Sequence, residues 1–124
     1  MLSRGAVFII NVPGVWGLIT LSVYLATKVD LGFALIAVYL VVINGIVHIA
    51  QAIAMRRYNP GLGSAILLFL PLGALSLWQI QLAGGGSLAF HMRGVLAALL
   101  AHAAIILHVR QEGIRLSDYF ADRP

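Results

Sequence analysis

The chain has 124 residues, of which 61% are hydrophobic and 10% are charged, and it carries a formal net charge of +4 without any cysteine. Soluble domains contain about 45–50% apolar and about 25% charged residues, so this composition excludes an ordinary soluble domain. The lack of cysteine excludes disulfides, thiolate catalysis and metal sites ligated by cysteine.

Four long apolar stretches predict an all-α integral membrane protein built as a four-transmembrane-helix up-and-down bundle. The predicted spans are residues 6–26, 31–55, 61–83 and 88–109. Each is long enough to cross a hydrocarbon core of about 30 Å, which takes about 20 helical residues. The connections are short, so consecutive helices are expected to be antiparallel neighbours. The chain is then a single membrane domain, 1–124, whose tail, 110–124, we expect in the headgroup layer.

The distribution of lysine and arginine predicts the orientation of these spans. Six basic residues fall at one end of the bundle, namely Arg4, Arg56, Arg57, Arg110, Arg115 and Arg123. Only Lys28 and Arg93 fall at the other end. Cytoplasmic loops are rich in such residues, so we expect a multi-pass protein of a bacterial inner (plasma) membrane with both termini in the cytoplasm. The positive charge suits anionic lipid headgroups, and nothing indicates a nucleic-acid partner.

The turn after the second span combines two predicted roles. Arg56, Arg57 and Tyr58 are candidates for contacts with lipid headgroups. Asn59 and Pro60 then form a typical helix start, in which asparagine caps the helix and proline occupies its first position.

Proline and small residues indicate where the helices bend and pack. Pro13 lies in the first span and Pro71 in the third, and both predict bends. In the fourth span, Gly94 and Ala98 are four residues apart, a spacing that allows another helix to approach closely.

Five polar residues are predicted to share one level inside the bundle. Asn44, His48 and Gln51 lie on one face of the second span, since each helical residue advances by about 100°. His102 on the fourth span and Asn11 on the first are predicted at a similar depth. Polar groups avoid lipid, so these five residues are candidates for a ligand-binding pocket that opens toward the cytoplasm.

Three interpretations of His48 and His102 are open. They can be structural hydrogen-bonding residues that hold the register of the helices, which is the favoured interpretation. They can instead bind a quinone or another small ligand, or serve as axial ligands of a b-type haem or as metal ligands. His108 points about 120° away from His102 and is predicted to reach the membrane surface by snorkelling.

One stretch, Asn44–Gly73, resembles a known family. It contains N-G-I-V-H-I-A-Q and then R-R-Y-N-P-G-L-G-S-A-I-L-L-F-L-P-L-G. A histidine before a basic Asn-Pro-Gly turn, followed by an apolar span with a central proline, is similar to small bacterial membrane proteins named for an H-x-x-E-E motif. The matching positions are His48, Tyr58, Pro60 and Gly61. The naming motif itself is absent here, so the resemblance implies a membrane bundle without an assigned activity.

These observations favour a binding or accessory subunit that packs against a larger membrane complex or against itself. The alternatives are a haem-, quinone- or other small-ligand-binding protein that uses His48 and His102, and a small transporter or channel. No predicted span contains a carboxylate, which disfavours a proton-coupled antiporter. No set of catalytic residues is identified, so a binding role is favoured over an enzymatic one.

Reporter fusions at Gly85 and at the C-terminus test the predicted orientation. A phosphatase that is active only outside the cytoplasm should be active at Gly85 and inactive at the C-terminus, because basic residues are concentrated at the terminal end of the bundle. The same location for both fusions would contradict the four-span topology.

Overall fold

A computed structural model describes residues 4–121 of the chain and the side chains of residues 5–114. Within this range the regular structure is helical and forms four long helices, α1 to α4. Helix α1 consists of Arg4–Ile9, a π-helical segment Ile10–Trp16, and Gly17–Lys28. Helix α2 consists of a 3-10 turn, Leu31–Phe33, and Ala34–Met55. Helix α3 consists of Leu62–Ser64, a π-helical segment Ala65–Phe69, and Leu70–Leu82, and α4 is Leu88–Ala121.

All four helices are long and apolar enough to cross a membrane. The candidate spans in the described residues are Gly5–Lys28, Leu31–Met55, Leu62–Leu82 and Leu88–Ile114. The prediction of an all-α fold with four helices long and apolar enough to span a membrane is therefore confirmed, whereas the bacterial inner-membrane location and the orientation of the termini stay predictions. Helix α4 continues into the predicted tail as far as Ala121. Residues 122–124 and the side chains after residue 114 lie outside the described part of the chain.

Helix α2 is the centre of the bundle and contacts each of the other three helices. Its Leu35 is completely buried, and Leu40 is nearly so. Most large side chains on the outer helix faces are exposed, as expected where lipid acyl chains are the solvent. The bundle is therefore held together by contacts to one central helix.

Small residues allow α4 to lie directly on the backbone of α2. A Cβ atom added at Gly94 would be 2.9 Å from the carbonyl oxygen of Leu35 and 2.7 Å from Cδ2 of Tyr39. Ala98, one turn later, is completely buried. The close helix approach predicted from the spacing of these two small residues is present. At the start of α2, the ring of Phe90 fills the space that a side chain at Gly32 would need.

Helix α1 is joined to α2 through the side chain of Ser22, which is only 1% exposed. Its hydroxyl donates a hydrogen bond to the Phe33 carbonyl at 2.7 Å and accepts one from the Ala37 N–H at 3.1 Å. An α-helix would pair these two backbone groups with each other, so the hydroxyl is inserted into the first turn of α2. This bond pair ties the middle of α1 to the start of α2.

Both π-helical segments occur beside the prolines that predicted bends. Pro13 lies inside Ile10–Trp16, and Pro71 follows Ala65–Phe69 by two residues. At the end of the first segment, the Gly17 N–H donates to the Val12 carbonyl five residues earlier. Proline has no N–H to donate, so the helices accommodate it by widening locally.

Replacing Gly94 by alanine should destabilise the protein because the new methyl group would press on the α2 backbone. Overpacking of this kind costs about 1–3 kcal/mol. Gly113→Ala on the same helix is the matched control, since nothing lies within 4 Å of its added Cβ. Alanine is the better helix former by about 1 kcal/mol, so the control should be stabilised or unchanged. Thermal unfolding in detergent measures both, and equal shifts would contradict the close approach.

Candidate functional site

A cavity of about 540 Å³ lies between α1 and α4 and reaches Leu40 of α2. Its α1 wall extends from Ile9 to Leu21 and includes the π-helical segment. Its α4 wall consists of Ala101, Ala104, Ile105 and His108. These four residues repeat at the spacing of one helix face, so that face of α4 is directed at α1. The cavity is thus a space between two helices that are both anchored on α2.

The walls leave this space because several of their residues are small. Gly14 and Gly17 lie on the α1 side, and Ala101 and Ala104 lie opposite them. Beyond the cavity, Ala6 is only 3% exposed, and its segment of α1 contacts α4 again. Helices α1 and α4 therefore close around the cavity at the end that carries the chain termini.

Among the described residues that line the cavity, His108 has a polar side chain and the others are apolar. Its Nε2 atom is buried and has no hydrogen-bond partner in the described part of the chain. An unsatisfied buried polar atom costs about 1–3 kcal/mol. The predicted snorkelling of His108 is wrong, because a ring nitrogen that reached the membrane surface would be solvated. In the sequence, His108 follows Ala101 by seven residues and Ala104 by four, and this helical spacing puts all three on one face of α4.

His48 belongs to a hydrogen-bonded clasp between α2 and the following turn. The side-chain amide of Asn59 donates to the His48 carbonyl at 2.8 Å, and its Oδ1 lies 3.0 Å from Nδ1 of the ring. Because Oδ1 can only accept, Nδ1 carries the proton and donates, and Nε2 is left as an acceptor. This bond pair fixes both the position of the turn and the orientation of the ring.

The same clasp explains the glycine that follows. Gly61 has a φ of +106°, which favours glycine, and an added Cβ would lie 2.6–2.9 Å from three atoms of the His48 ring. The expected capping role of Asn59 is wrong, because its side chain bonds to His48 instead. Helix α3 begins at Leu62, and its N-cap position, Gly61, makes no side-chain capping bond.

Two of the other predicted site residues make hydrogen bonds within their own helices. Nδ1 of His102 donates to the Ala98 carbonyl at 2.8 Å, and the Asn11 amide donates to the Val7 carbonyl at 2.8 Å, each within its own helix. Asn44 is half-buried and Gln51 is exposed. Among the described residues, no hydrogen bond joins any two of the five predicted pocket residues. Their shared ligand-binding role stays a prediction.

The histidine tautomers bear on the haem and metal alternatives. Both His48 and His102 engage Nδ1 and leave Nε2 with its lone pair, which is the form that a metal ligand needs. The described residues contain no group of three or more histidine or carboxylate side chains that could hold a metal ion. Binding of haem or a metal at His48 and His102 stays a prediction.

The turn of Arg56, Arg57 and Tyr58 is exposed. Arg56 adopts a left-handed conformation with a φ of 50° and ends α2. Exposure at the end of a span is what contact with lipid headgroups would require, and that contact stays a prediction.

Asn59→Asp and Asn59→Ala should both destabilise the protein by about 1–3 kcal/mol, because each removes the amide that donates to the His48 carbonyl. A capping residue would instead tolerate aspartate. Thermal unfolding of both variants, alone and combined with His48→Ala, provides the measurement. The two sites should couple, so the combined effect should be smaller than the sum. Additive effects, or an Asp variant as stable as the parent, would contradict the clasp.

The chain is similar to known proteins at the level of a family. No curated protein and no solved structure matches the chain. Residues 2–78 match the family described as proteins of unknown function with an HXXEE motif. The match extends well beyond the stretch that suggested it, and it includes α1, α2, the clasp and most of α3. With a single glutamate, Glu112, the sequence has no copy of the naming motif. Because the match covers more than half of its length, the chain belongs to the HXXEE-motif family.

Proposed function

We propose that this protein binds a lipid-soluble small molecule in the cavity between α1 and α4. The observation that carries the proposal is a buried imidazole nitrogen without a partner, Nε2 of His108, at an otherwise apolar cavity. A ligand with one hydrogen-bonding group would satisfy this nitrogen while its apolar part fills the space. The proposal retains the small-ligand function considered from the sequence but places it at His108.

The dimensions of the cavity support this function. Its volume of about 540 Å³ lies within the range of about 300–1,000 Å³ that is typical of small-molecule sites. Such sites are mostly apolar and contain a few polar groups that orient the ligand. The π-helical segment in the α1 wall is also a feature that recurs at functional sites.

The accessory-subunit role stays a prediction. An apolar helix face suited to a protein partner would support this role, and exposed apolar side chains are abundant on this bundle. The same side chains are what lipid acyl chains require, so they do not distinguish a protein partner from the bilayer. The cavity, by contrast, has a feature that a bilayer alone does not explain, which is its unpaired polar atom.

Photolabelling of the purified protein in lipid nanodiscs tests the proposal. The probe is a hexadecane chain that carries a diazirine, and mass spectrometry maps the labelled residues. We expect labelling in the α1 segment between Ile9 and Leu21. Ala104→Phe should reduce this labelling severalfold because the new ring occupies the cavity.

Ala103→Phe is the matched control, because Ala103 is an exposed neighbour on α4 that does not line the cavity. It should leave the labelling unchanged. Labelling spread evenly over the outer helix faces, or an equal response of the two variants, would overturn the proposed function. Thermal unfolding of both variants verifies that each remains folded.

A further inference from the structure

We infer that the ligand of the α1–α4 cavity is a long-chain aliphatic or isoprenoid alcohol whose hydroxyl bonds to Nε2 of His108. This inference rests on the proposed function and identifies the chemical class of its ligand. The evidence is the shape of the cavity, the composition of its walls and the position of its polar atom.

The walls fit an aliphatic chain. The described lining residues include no phenylalanine, tyrosine or tryptophan, and the large apolar ones are branched aliphatics such as Ile9, Leu18 and Leu40. Flat ring systems usually stack on aromatic residues, which this cavity does not provide. Leu21 is twelve residues after Ile9, or about 18 Å along a helix, so the cavity is elongated. A flexible chain fits such a space better than a rigid ring.

The polar atom lies at one end of this elongated space. Helices α1 and α4 run antiparallel, so His108 near the end of the fourth span faces the Ile9 end of the α1 wall. Ala101 faces the part of the wall nearer Leu21. A bound amphiphile would therefore place its head group toward the membrane surface that carries the chain termini and its tail toward the middle of the bundle.

A hydroxyl is the head group that suits His108 best. It donates to the Nε2 lone pair when the ring carries its proton on Nδ1, which is the tautomer of His48 and His102. A quinone carbonyl or a carboxylate can only accept. A carboxylate would also bring a charge into an apolar cavity that offers it no cationic partner among the described lining residues. The hydroxyl satisfies the histidine without either cost.

Competition with the diazirine-hexadecane probe in nanodiscs tests the inference. The competitors are hexadecanol, geranylgeraniol and the methyl ether of each alcohol, which removes the donor and changes little else. We expect each alcohol to compete about five- to tenfold better than its ether, which corresponds to one hydrogen bond. The stronger of the two alcohols distinguishes a straight chain from an isoprenoid chain. Palmitic acid and decylubiquinone test the two alternative head groups.

The variants of His108 identify the bonding partner. His108→Leu should equalise the alcohol and the ether, whereas His108→Gln, which can donate and accept, should retain part of the difference. Leu107→Phe is the control, since Leu107 is the exposed neighbour outside the cavity, and it should behave like the parent protein. Because the alcohol-to-ether ratio is measured within each protein, a loss of folded material does not alter it.

The outcomes separate this inference from the proposed function. Labelling that depends on the cavity but is displaced equally by alcohol and ether would overturn the inference and leave the proposed function standing. Stronger competition by decylubiquinone or palmitic acid would do the same and would assign a different head group. If neither the competitors nor Ala104→Phe affect the labelling, both the inference and the proposed function are wrong.

Discussion

The missing side chain at Gly94 is the constraint on which the rest of the bundle depends. It lets the backbone of α4 approach the carbonyl of Leu35, and any larger residue would have to displace backbone atoms of α2. In a bilayer, helix association relies on close packing because lipid is as apolar as the helix surfaces. Once this contact is made, the helical period directs the Ala101–His108 face of α4 toward α1, and that face forms the wall of the cavity.

The cavity follows from where α1 and α4 are attached. Ser22 ties α1 to the start of α2, and Gly94 ties α4 to the same region. Toward the chain termini, Ala6 brings α1 and α4 together again. Between these contacts the facing residues are too small to fill the space, which is open at its rim, where Ile9, Leu21 and Ala104 are exposed. Lipid acyl chains can enter this open space, but they offer no hydrogen-bond partner to the buried Nε2 atom of His108.

The hydrogen-bonded clasp of His48 and Asn59 lies within the region that matches the family. His48 and Gly61, two of the matching positions, hold one turn together with Asn59, since the histidine ring is bonded to the asparagine and lies over the glycine. The pattern therefore specifies how α2 passes into α3, and it is compatible with a chain that lacks the naming motif. Across the bundle, Tyr39 lies 2.7 Å from Nδ1 of His91, which connects α2 and α4 near their other ends. Within the matched region Ser22, His48 and Asn59 have structural partners, whereas Nε2 of His108, which lies outside that region, has none among the described residues.

The sequence by itself determined the properties that depend on neighbouring residues along the chain. Four spans follow from apolar runs, the close approach of α4 follows from the spacing of Gly94 and Ala98, and the disturbed helical segments follow from Pro13 and Pro71. The tertiary structure alone decided the partners of the polar side chains. The sequence around Asn59 predicts a helix cap because a cap depends only on neighbouring residues. In the structure its amide donates instead to the carbonyl of His48, eleven residues earlier. The predicted depth of a side chain does not state in which direction its helix face is turned. That rotation is set by packing at residues such as Gly94, and it is why His108, and not His102, reaches the cavity.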